Sequence, residues 1–235
     1  MSVKPILFNT EMVRAILDGR KSCTRRSVSS RQFLGMLPDK CKNAAPDEFL
    51  KGKRMMFKPY CDMTDAELIM TAYKAPYEPG DILYVRETVW QKIGYYLDID
   101  GETKPSWYNE FKYVASDEKP ETGWNYSWAK RPSIHMPKEA ARIWLKVTDV
   151  RVERLQEITE NGAKAEGISE EWARSWWIPT YNDPDSGGYP EYRDTFAYEV
   201  WDSTIKKSDL DRYGWDANPY VFVIEFIRID KPEEI

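Results

Sequence analysis

The sequence predicts a mixed α+β fold with a closed or half-closed β-sheet. Apolar residues alternate with polar ones, or run together, in several segments typical of strands, and short helical patterns lie between these segments. Strands and helices do not alternate regularly, as they would in a parallel sheet with crossover helices. A chain of 235 residues can bury one sizeable core, so we expect a single domain spanning 1–235, with insertions at about 27–78, 91–128 and 170–190.

The first predicted element is a short helix over residues 10–18. Asn9 can cap its N-terminus, Glu11 lies in the first turn, where an acidic side chain complements the helix dipole, and Gly19 can end the helix. The insertion that follows is rich in Lys and Met, and a short helix is predicted within it over residues 64–72.

The clearest predicted strand runs from Ile82 to Trp90, directly after the turn at residues 79–81. A second strand candidate covers residues 110–115. Residues 131–137 predict a loop that closes into one helical turn, and residues 143–152 alternate as a strand.

The C-terminal third predicts two helices and a final strand. Thr159 can cap a short helix that reaches Glu166 and ends at Gly167, and a longer helix is predicted over residues 191–205. Residues 220–229 form a long apolar strand, which an acidic tail follows.

The cysteines and the hydropathy indicate the cellular compartment. The chain has three widely spaced cysteines without a CxxC pair, which is typical of free thiols in a reducing compartment rather than of a disulfide scaffold or a zinc site. No apolar run has the length of a membrane span, and the first residues do not have the pattern of a signal peptide. We therefore expect a cytoplasmic protein that does not bind a membrane.

The charge is unevenly distributed. Residues 1–60 hold thirteen Lys/Arg and five Asp/Glu, whereas the remainder holds twenty-one and thirty-four, and the whole chain has a net charge of −5. An acidic protein is unsuited to coating nucleic acid indiscriminately, because that affinity depends on releasing many counterions. A basic region within an acidic body fits a small, oriented anionic ligand better.

The most informative segment is residues 16–26, Ile-Leu-Asp-Gly-Arg-Lys-Ser-Cys-Thr-Arg-Arg. It delivers a cluster of cationic and hydroxyl side chains directly after a short helix, which suits contact with phosphate or with the polar edge of a base. A solvated cationic connector is the alternative that charge alone leaves open. Lys21, placed among arginines, is a candidate base or nucleophile. In a regular strand its side chain and that of Thr24 would point to opposite sides, so they converge only if the chain bends near residues 22–23.

Glu87 stands out through its spacing. On the predicted strand it shares one face with three aliphatic residues, so its carboxylate belongs either to the core or to the wall of a cleft. The alternative to a functional role is a structural ion pair with an arginine of residues 20–26 or with Arg131.

His135 is the only histidine, and this limits the chemistry. No metal site with two imidazoles is possible, no carboxylate cluster has a metal-ligand spacing, and no glycine-rich phosphate loop is present. Nothing resembling a nucleophile elbow accompanies His135, so Ser/His/Asp catalysis is disfavoured. We expect neither a metal nor another cofactor.

Several segments, in this order, resemble the ASCH domain family of the PUA-like superfamily, in particular its phage and prophage members. The matching segments are Lys4–Thr10, Gly19–Arg26, Pro79–Thr88, Arg131–Pro137, Ile143–Thr148 and Tyr220–Phe226. The resemblance implies a PUA-like β-barrel with peripheral helices and a cleft that handles RNA, nucleotides or modified nucleosides.

The enzymes of that family that the chain resembles most are small bacterial amidohydrolases that deacetylate N4-acetylcytidine; other members have been assigned ribonuclease activity. The Gly-Arg-Lys-x-x-Thr motif of the amidohydrolases falls on residues 19–24 here, and the resemblance implies catalytic roles for Lys21 and Thr24. The chain departs from the family pattern at Lys146, where the amidohydrolases carry a catalytic glutamate, and we expect Glu87 to substitute for it.

Three functional hypotheses remain. The first is a metal-independent hydrolase acting on a modified nucleobase or RNA, the second a non-catalytic module that binds RNA or a nucleotide, and the third a phage protein that acts through a protein surface. The first two are favoured because the polar residues cluster at the motifs. For catalysis we predict Lys21, Thr24 and Glu87. For substrate binding we predict Arg20, Arg25, Arg26, Arg86, Arg131, His135 and Trp90.

Overall fold

The structure is a computed structural model, and it describes residues 2–28, 64, 67, 70, 73–181 and 192–233, with only the backbone for 176–181. The helices are α1 (Thr10–Leu17), α2 (Glu160–Ala165), α3 (Glu170–Tyr181), α4 (Tyr192–Thr195), α5 (Asp202–Thr204) and α6 (Leu210–Tyr213). The strands are β1 (Val3–Leu7), β2 (Cys23–Ser27), β3 (Ile82–Arg86), β4 (Val89–Leu97), β5 (Thr103–Tyr113), β6 (Tyr126–Arg131), β7 (Trp144–Arg154) and β8 (Tyr220–Ile229).

The predicted mixed α+β class is confirmed. Five strands form one sheet in the order β1-β3-β7-β8-β2, and three form a second sheet in the order β5-β4-β6. Within the described residues neither sheet closes on itself, so the closed form of the predicted barrel is not seen. The finer assignment to a PUA-like architecture stays a prediction.

The chain divides into two compact units. Unit 1 comprises Met1–Gly19, Asp81–Lys146 and Arg228–Ile235, and unit 2 comprises Arg20–Gly80 and Val147–Ile227. The expectations of one domain and of its insertion boundaries stay predictions, and the predicted helix over 64–72 lies largely outside the described residues. No helix in the described part of the chain is both long and apolar enough to cross a membrane.

In unit 1, the opening helix forms as predicted. The Asn9 side chain accepts a 2.9 Å hydrogen bond from the Met12 amide, and Gly19 follows the helix with φ of +75°. Strand β1 pairs in parallel with β3, which pairs antiparallel with the start of β7. A cluster of buried side chains fills the core beneath them: Ile82, Val89, Met136, Ala140, Ala141 and Trp144.

The predicted single strand from Ile82 to Trp90 is wrong, because the structure interrupts it at Glu87. Strand β3 ends at Arg86 and β4 begins at Val89, in the other sheet. The Glu87 amide donates to the Met136 sulfur at 3.2 Å instead of to a carbonyl of a neighbouring strand. The sequence pattern does not reveal this break. Val85 before it, Glu87 within it and Val89 after it are all buried, so every second residue is buried as in one continuous strand.

In unit 2, β2 pairs antiparallel with β8, from Cys23 opposite Glu225 to Ser27 opposite Val221. Helix α2 is capped by the Thr159 hydroxyl, which accepts a hydrogen bond from the Gly162 amide, and Gly167 after it has φ of +102°. The predicted helix over 191–205 is present as α4 and α5, joined by a π-helical stretch over Phe196–Trp201.

Candidate functional site

The basic motif after α1 is held at its backbone by two neighbouring elements of unit 2. Lys21 forms an isolated antiparallel bridge with Glu166, and the Ser22 amide donates to the Ala165 carbonyl at 2.9 Å. The Ser22 carbonyl in turn accepts from the Phe226 amide at 2.9 Å. The motif therefore runs as an extended segment between the end of α2 and strand β8.

Lys21 and Glu166 form the centre of this arrangement. The Lys21 ammonium lies 2.6 Å from Glu166 Oε2 and 2.8 Å from the Glu166 carbonyl oxygen. Their side chains are 0% and 2% exposed, respectively. Two opposite charges at this separation in a dry interior attract each other strongly, and the pair offsets the cost of removing each charge from water.

Arg25 binds the second oxygen of the same carboxylate. Its guanidinium lies 3.1 Å from Glu166 Oε1, and it also donates to Glu153 Oε1 at 2.7 Å and 3.0 Å. Burial opposes the charge, but the carboxylates of Glu166 and Glu153, together with Cys23, raise the pKa of Arg25 above its ordinary value. Two cations and two carboxylates thus form one network, buried except at the half-buried Glu153, which we call the Lys21–Glu166 cluster (Lys21, Arg25, Glu153 and Glu166).

Cys23 lies beside this cluster and is kept neutral. Burial, and then the Glu166 carboxylate, raise the pKa of the Cys23 thiol to about 12, although Lys21 and Arg25 act in the opposite direction. Because the thiolate is the nucleophilic form of cysteine, Cys23 is inert at neutral pH.

Thr24 points away from the cluster. Strand β2 is regular at this position, with Thr24 opposite Ile224 in β8, so its side chain lies on the other face of the strand from Arg25. The bend near residues 22–23 that would bring Lys21 and Thr24 together is replaced by continuous pairing with β8. The catalytic role of Thr24 stays a prediction.

Glu87 lies in unit 1, whereas Lys21 and Thr24 lie in unit 2. Its carboxylate is bound on both oxygens by the guanidinium of Arg142, at 2.9 Å and 3.0 Å, and it is 1% exposed. The ion-pair partner of Glu87 is therefore Arg142, and not the arginines of 20–26 or Arg131 named as alternatives, and the catalytic role of Glu87 stays a prediction. Arg142 also stacks on Tyr113, with its guanidinium carbon 4.0 Å from the ring centroid.

The other predicted residues of unit 2 hold local structure. Arg20 donates to the Gly167 carbonyl, at the end of α2. Arg26 is half-buried near Tyr77. Burial raises the pKa of Tyr77 above its ordinary value, although the charge of Arg26 acts in the opposite direction.

The remaining predicted residues lie in unit 1. Arg86 donates to the carbonyls of Met136, at 2.8 Å, and of Ile134, so it shapes the loop that carries His135. His135 itself is exposed. Arg131 lies 4.6 Å from the centroid of Trp107. Trp90, half-buried on β4, has the ammonium groups of Lys119 and Lys130 within 5.9 Å of its ring centroid. Substrate contacts by any of these residues stay predictions.

Sequence reasoning missed the carboxylates Glu153 and Glu166 and the arginine Arg142. A weak signal existed for Glu166, because it directly precedes Gly167, which was expected to end a helix, and residues at such junctions are often functional. The pairing of Lys21 with Glu166 spans 145 positions and has no local signature. In the described part of the chain, no group of three or more His, Cys, Asp or Glu residues is arranged to hold a metal ion.

No protein-family model and no curated protein sequence matches the chain. A search of solved structures finds similarity to an ASCH domain from Lactobacillus crispatus JV V101, with 11% sequence identity and a TM-score of 0.35. The match covers 98% of this chain and 81% of that one. A TM-score this low does not establish a common fold, so the resemblance to ASCH domains rests on the sequence motifs.

Proposed function

We propose that the protein is an ASCH-type protein directed at nucleosides or nucleic acid, and that the Lys21–Glu166 cluster is the reacting centre of a metal-independent hydrolase. The observation that carries the proposal is the 2.6 Å contact between the Lys21 ammonium and the Glu166 carboxylate. It supplies a carboxylate beside the motif lysine, which the resemblance requires and which Lys146 does not provide.

The proposed reaction is hydrolysis of an exocyclic amide on a nucleobase. Glu166 accepts a proton from water, the water oxygen bonds to the acyl carbon, and the C–N bond breaks. Lys21 donates a proton to the departing amine nitrogen and regains one from Glu166, so that water and amide yield a carboxylic acid and an amine. Arg25 holds the second oxygen of Glu166 and so orients the carboxylate without touching substrate.

The burial of the cluster favours a second candidate, a binding module without turnover. The Lys21 side chain is 0% exposed, and the two cations of the cluster, Lys21 and Arg25, are both engaged by carboxylates. Hydrolysis requires the substrate to reach Lys21, whereas a purely structural cluster would fix the motif so that neighbouring side chains bind a nucleotide.

Turnover distinguishes the two candidates. The purified protein is incubated with N4-acetylcytidine, with other base-acylated nucleosides and with single-stranded RNA, and the products are followed by mass spectrometry. We expect release of the free amine from an acylated nucleoside, and a loss of at least about 100-fold in kcat/KM in Lys21→Met and Glu166→Gln, the range of general acid–base contributions.

Lys146→Ala is the matched control, because Lys146 is exposed on β7 and has no role in the proposed reaction. It should retain full turnover. Thermal unfolding of each variant separates lost chemistry from lost structure, since Glu166→Gln leaves two buried cations poorly compensated. Absence of turnover on every substrate, with nucleotide binding retained, would replace the hydrolase with the binding module.

A further inference from the structure

The three-stranded sheet of unit 1 carries aromatic and cationic side chains on one face. Strand β4 is central, and its register with β5 and β6 sets which residues share a side. Trp90, Lys92 and Tyr96 alternate on this side of β4. We call it the aromatic face, and it comprises Trp90, Lys92, Tyr96, Tyr108, Lys112, Tyr126, Trp128 and Lys130.

The opposite side of the same sheet packs on the core at one end. Val89 belongs to the buried cluster of unit 1, and Phe111 and Tyr113 pack against that cluster. Along β4 and β5 these three residues alternate with the residues of the aromatic face, so their side chains point to the opposite side of the sheet. The aromatic face therefore points away from the core of unit 1.

Lysine ammonium groups lie over the rings of this face. Lys92 is 4.7 Å from the centroid of Tyr126, 5.7 Å from Tyr108 and 5.9 Å from Trp128. Lys130 lies 5.8 Å from the centroid of Trp90. Rings and cations are thus interleaved at distances that allow cation–π attraction, so a ligand that reaches a ring also reaches a positive charge.

Two of the rings are widely accessible. Tyr108 on the edge strand β5 is 49% exposed and Tyr96 near the end of β4 is 53% exposed, whereas Trp90, Tyr126 and Trp128 are half-buried. Gly94 makes room for one of them, because a Cβ at that position would lie 2.6 Å from the Tyr108 ring. The Tyr108 ring therefore lies directly against the backbone of β4.

The charge of the face contrasts with that of the protein. Glu110 pairs with Lys92 at 2.8 Å, and Asp98 at the end of β4 pairs with Lys104. Lys112, Lys119 and Lys130 add further positive charge on or beside the face, while the whole chain has a net charge of −5. A local positive surface on an acidic protein attracts an anion to one place.

We propose that the aromatic face binds single-stranded nucleic acid, with bases stacked on Tyr108, Tyr96 and Trp90 and the phosphates near the lysines. Exposed aromatic rings interleaved with lysines are the combination that such ligands require, because stacking accepts any base and the cations follow the backbone. A duplex presents no free base faces and does not satisfy the rings. This surface lies in unit 1, outside the Lys21–Glu166 cluster, and it requires no turnover.

Binding is measured by fluorescence anisotropy with labelled 12-nucleotide oligo(U) and oligo(dT) and with a duplex of equal length, at low salt. We expect both single strands to bind more tightly than the duplex, and their comparison tells RNA from DNA. Tyr108→Leu and Tyr96→Leu should each weaken binding by about 5- to 150-fold, the ratio for losing one stacked base.

Tyr95→Leu is the matched control, because Tyr95 lies next to Tyr96 on β4 and is 52% exposed, but points to the other side of the sheet. It should leave the affinity unchanged. The proposal is overturned if neither single strand binds, if the duplex binds as tightly, or if Tyr95→Leu weakens binding as much as Tyr108→Leu. Turnover of acylated nucleosides and binding of oligo(U) are measured separately on the wild-type protein, so failure of the hydrolase and failure of the aromatic face give different results.

Discussion

At the scale of single residues, the buried charges of the described chain occur with opposite charges beside them. The charged residues classed as buried are Lys21, Arg25, Asp81, Glu87 and Glu166. Each has an opposite charge within 3.1 Å, from the Lys4–Asp81 contact at 2.6 Å to the Arg25–Glu166 contact. Removing one partner of such a pair exposes the other to an apolar environment, which costs more than the pair itself contributes.

Glu87→Gln tests whether the Glu87–Arg142 pair is structural. We expect the free energy of unfolding, measured in urea, to fall by about 2–3 kcal/mol. A wholly buried pair would cost ~3–5 kcal/mol, but the Arg142 side chain is 26% exposed and retains some water. Glu11→Gln is the control, because its pair with Arg14 is exposed, and it should cost less than about 1 kcal/mol. Unchanged stability, together with lost turnover, would instead support the catalytic role predicted for Glu87.

The raised pKa of Cys23 predicts a dependence of stability on alkaline pH. The folded thiol has a pKa of about 12 against an ordinary value of 9.0, so the unfolded chain releases this proton first as the pH rises. The contribution is complete below pH 9 and is lost as pH rises toward 12, with a slope of up to ~1.4 kcal/mol per pH unit. Urea unfolding across this range should show a shallower decline for Cys23→Ala than for the wild type. Parallel curves would contradict the prediction.

Only some residues of the Lys21–Glu166 cluster could be predicted from the sequence. Lys21 and Arg25 were identifiable from a motif of consecutive residues. Their carboxylate partners were not, because Glu166 and Glu153 are more than 120 positions away along the chain. They come together because β2 pairs with β8, the neighbour of the strand β7 that carries Glu153, and because Lys21 pairs with Glu166 at the end of α2.

At the scale of elements, local signals were sufficient where a helix or strand has its own start and stop. The Asn9 cap, the Thr159 cap and the long apolar run of β8 appear at the expected positions. Local signals failed where two elements meet without a turn residue, as at Glu87 between β3 and β4. Nothing in the alternation of apolar residues distinguishes one long strand from two that enter different sheets.

Gly19 offers a test of how α1 ends. Its φ of +75° is unfavourable for residues with a Cβ, yet no atom lies within 4 Å of the position that a Cβ would occupy. Gly19→Ala should therefore destabilise the protein by the conformational cost alone, about 1–2 kcal/mol by thermal or urea unfolding. Gly19→Asn should cost less, since Asn tolerates this conformation better. Equal losses for the two variants would show that something other than backbone conformation is responsible.

At the scale of the whole molecule, the net charge of −5 limits how nucleic acid can bind. An acidic protein repels a polyanion except where cations are concentrated, so we expect contact with few phosphates. This contrasts with proteins that neutralise many phosphates and whose affinity collapses with modest salt. The aromatic face would then draw much of its affinity from stacking.

The salt dependence of binding tests this expectation. With about three or four phosphates neutralised, the plot of log affinity against log salt for oligo(U) should have a slope of about −2 to −3. Lys130→Gln should make the slope shallower by about 0.7, the value for one contact on a single strand. A slope of about −6 or steeper would indicate a much larger basic surface and contradict the expectation.

The irregular pairing of β4 with β5 has a consequence for how this sheet can vary in length. Gln91 lies opposite Phe111 and Ile93 lies opposite Trp107, so β5 has two more residues than β4 over the same interval. Within this interval Lys92 contacts both Tyr108 and Glu110. Because side chains alternate between the two faces of a sheet, an even number of extra residues keeps every following side chain on the same face. Related chains should therefore gain or lose residues here in pairs, since a single deletion would invert every side chain on the shifted part of the strand.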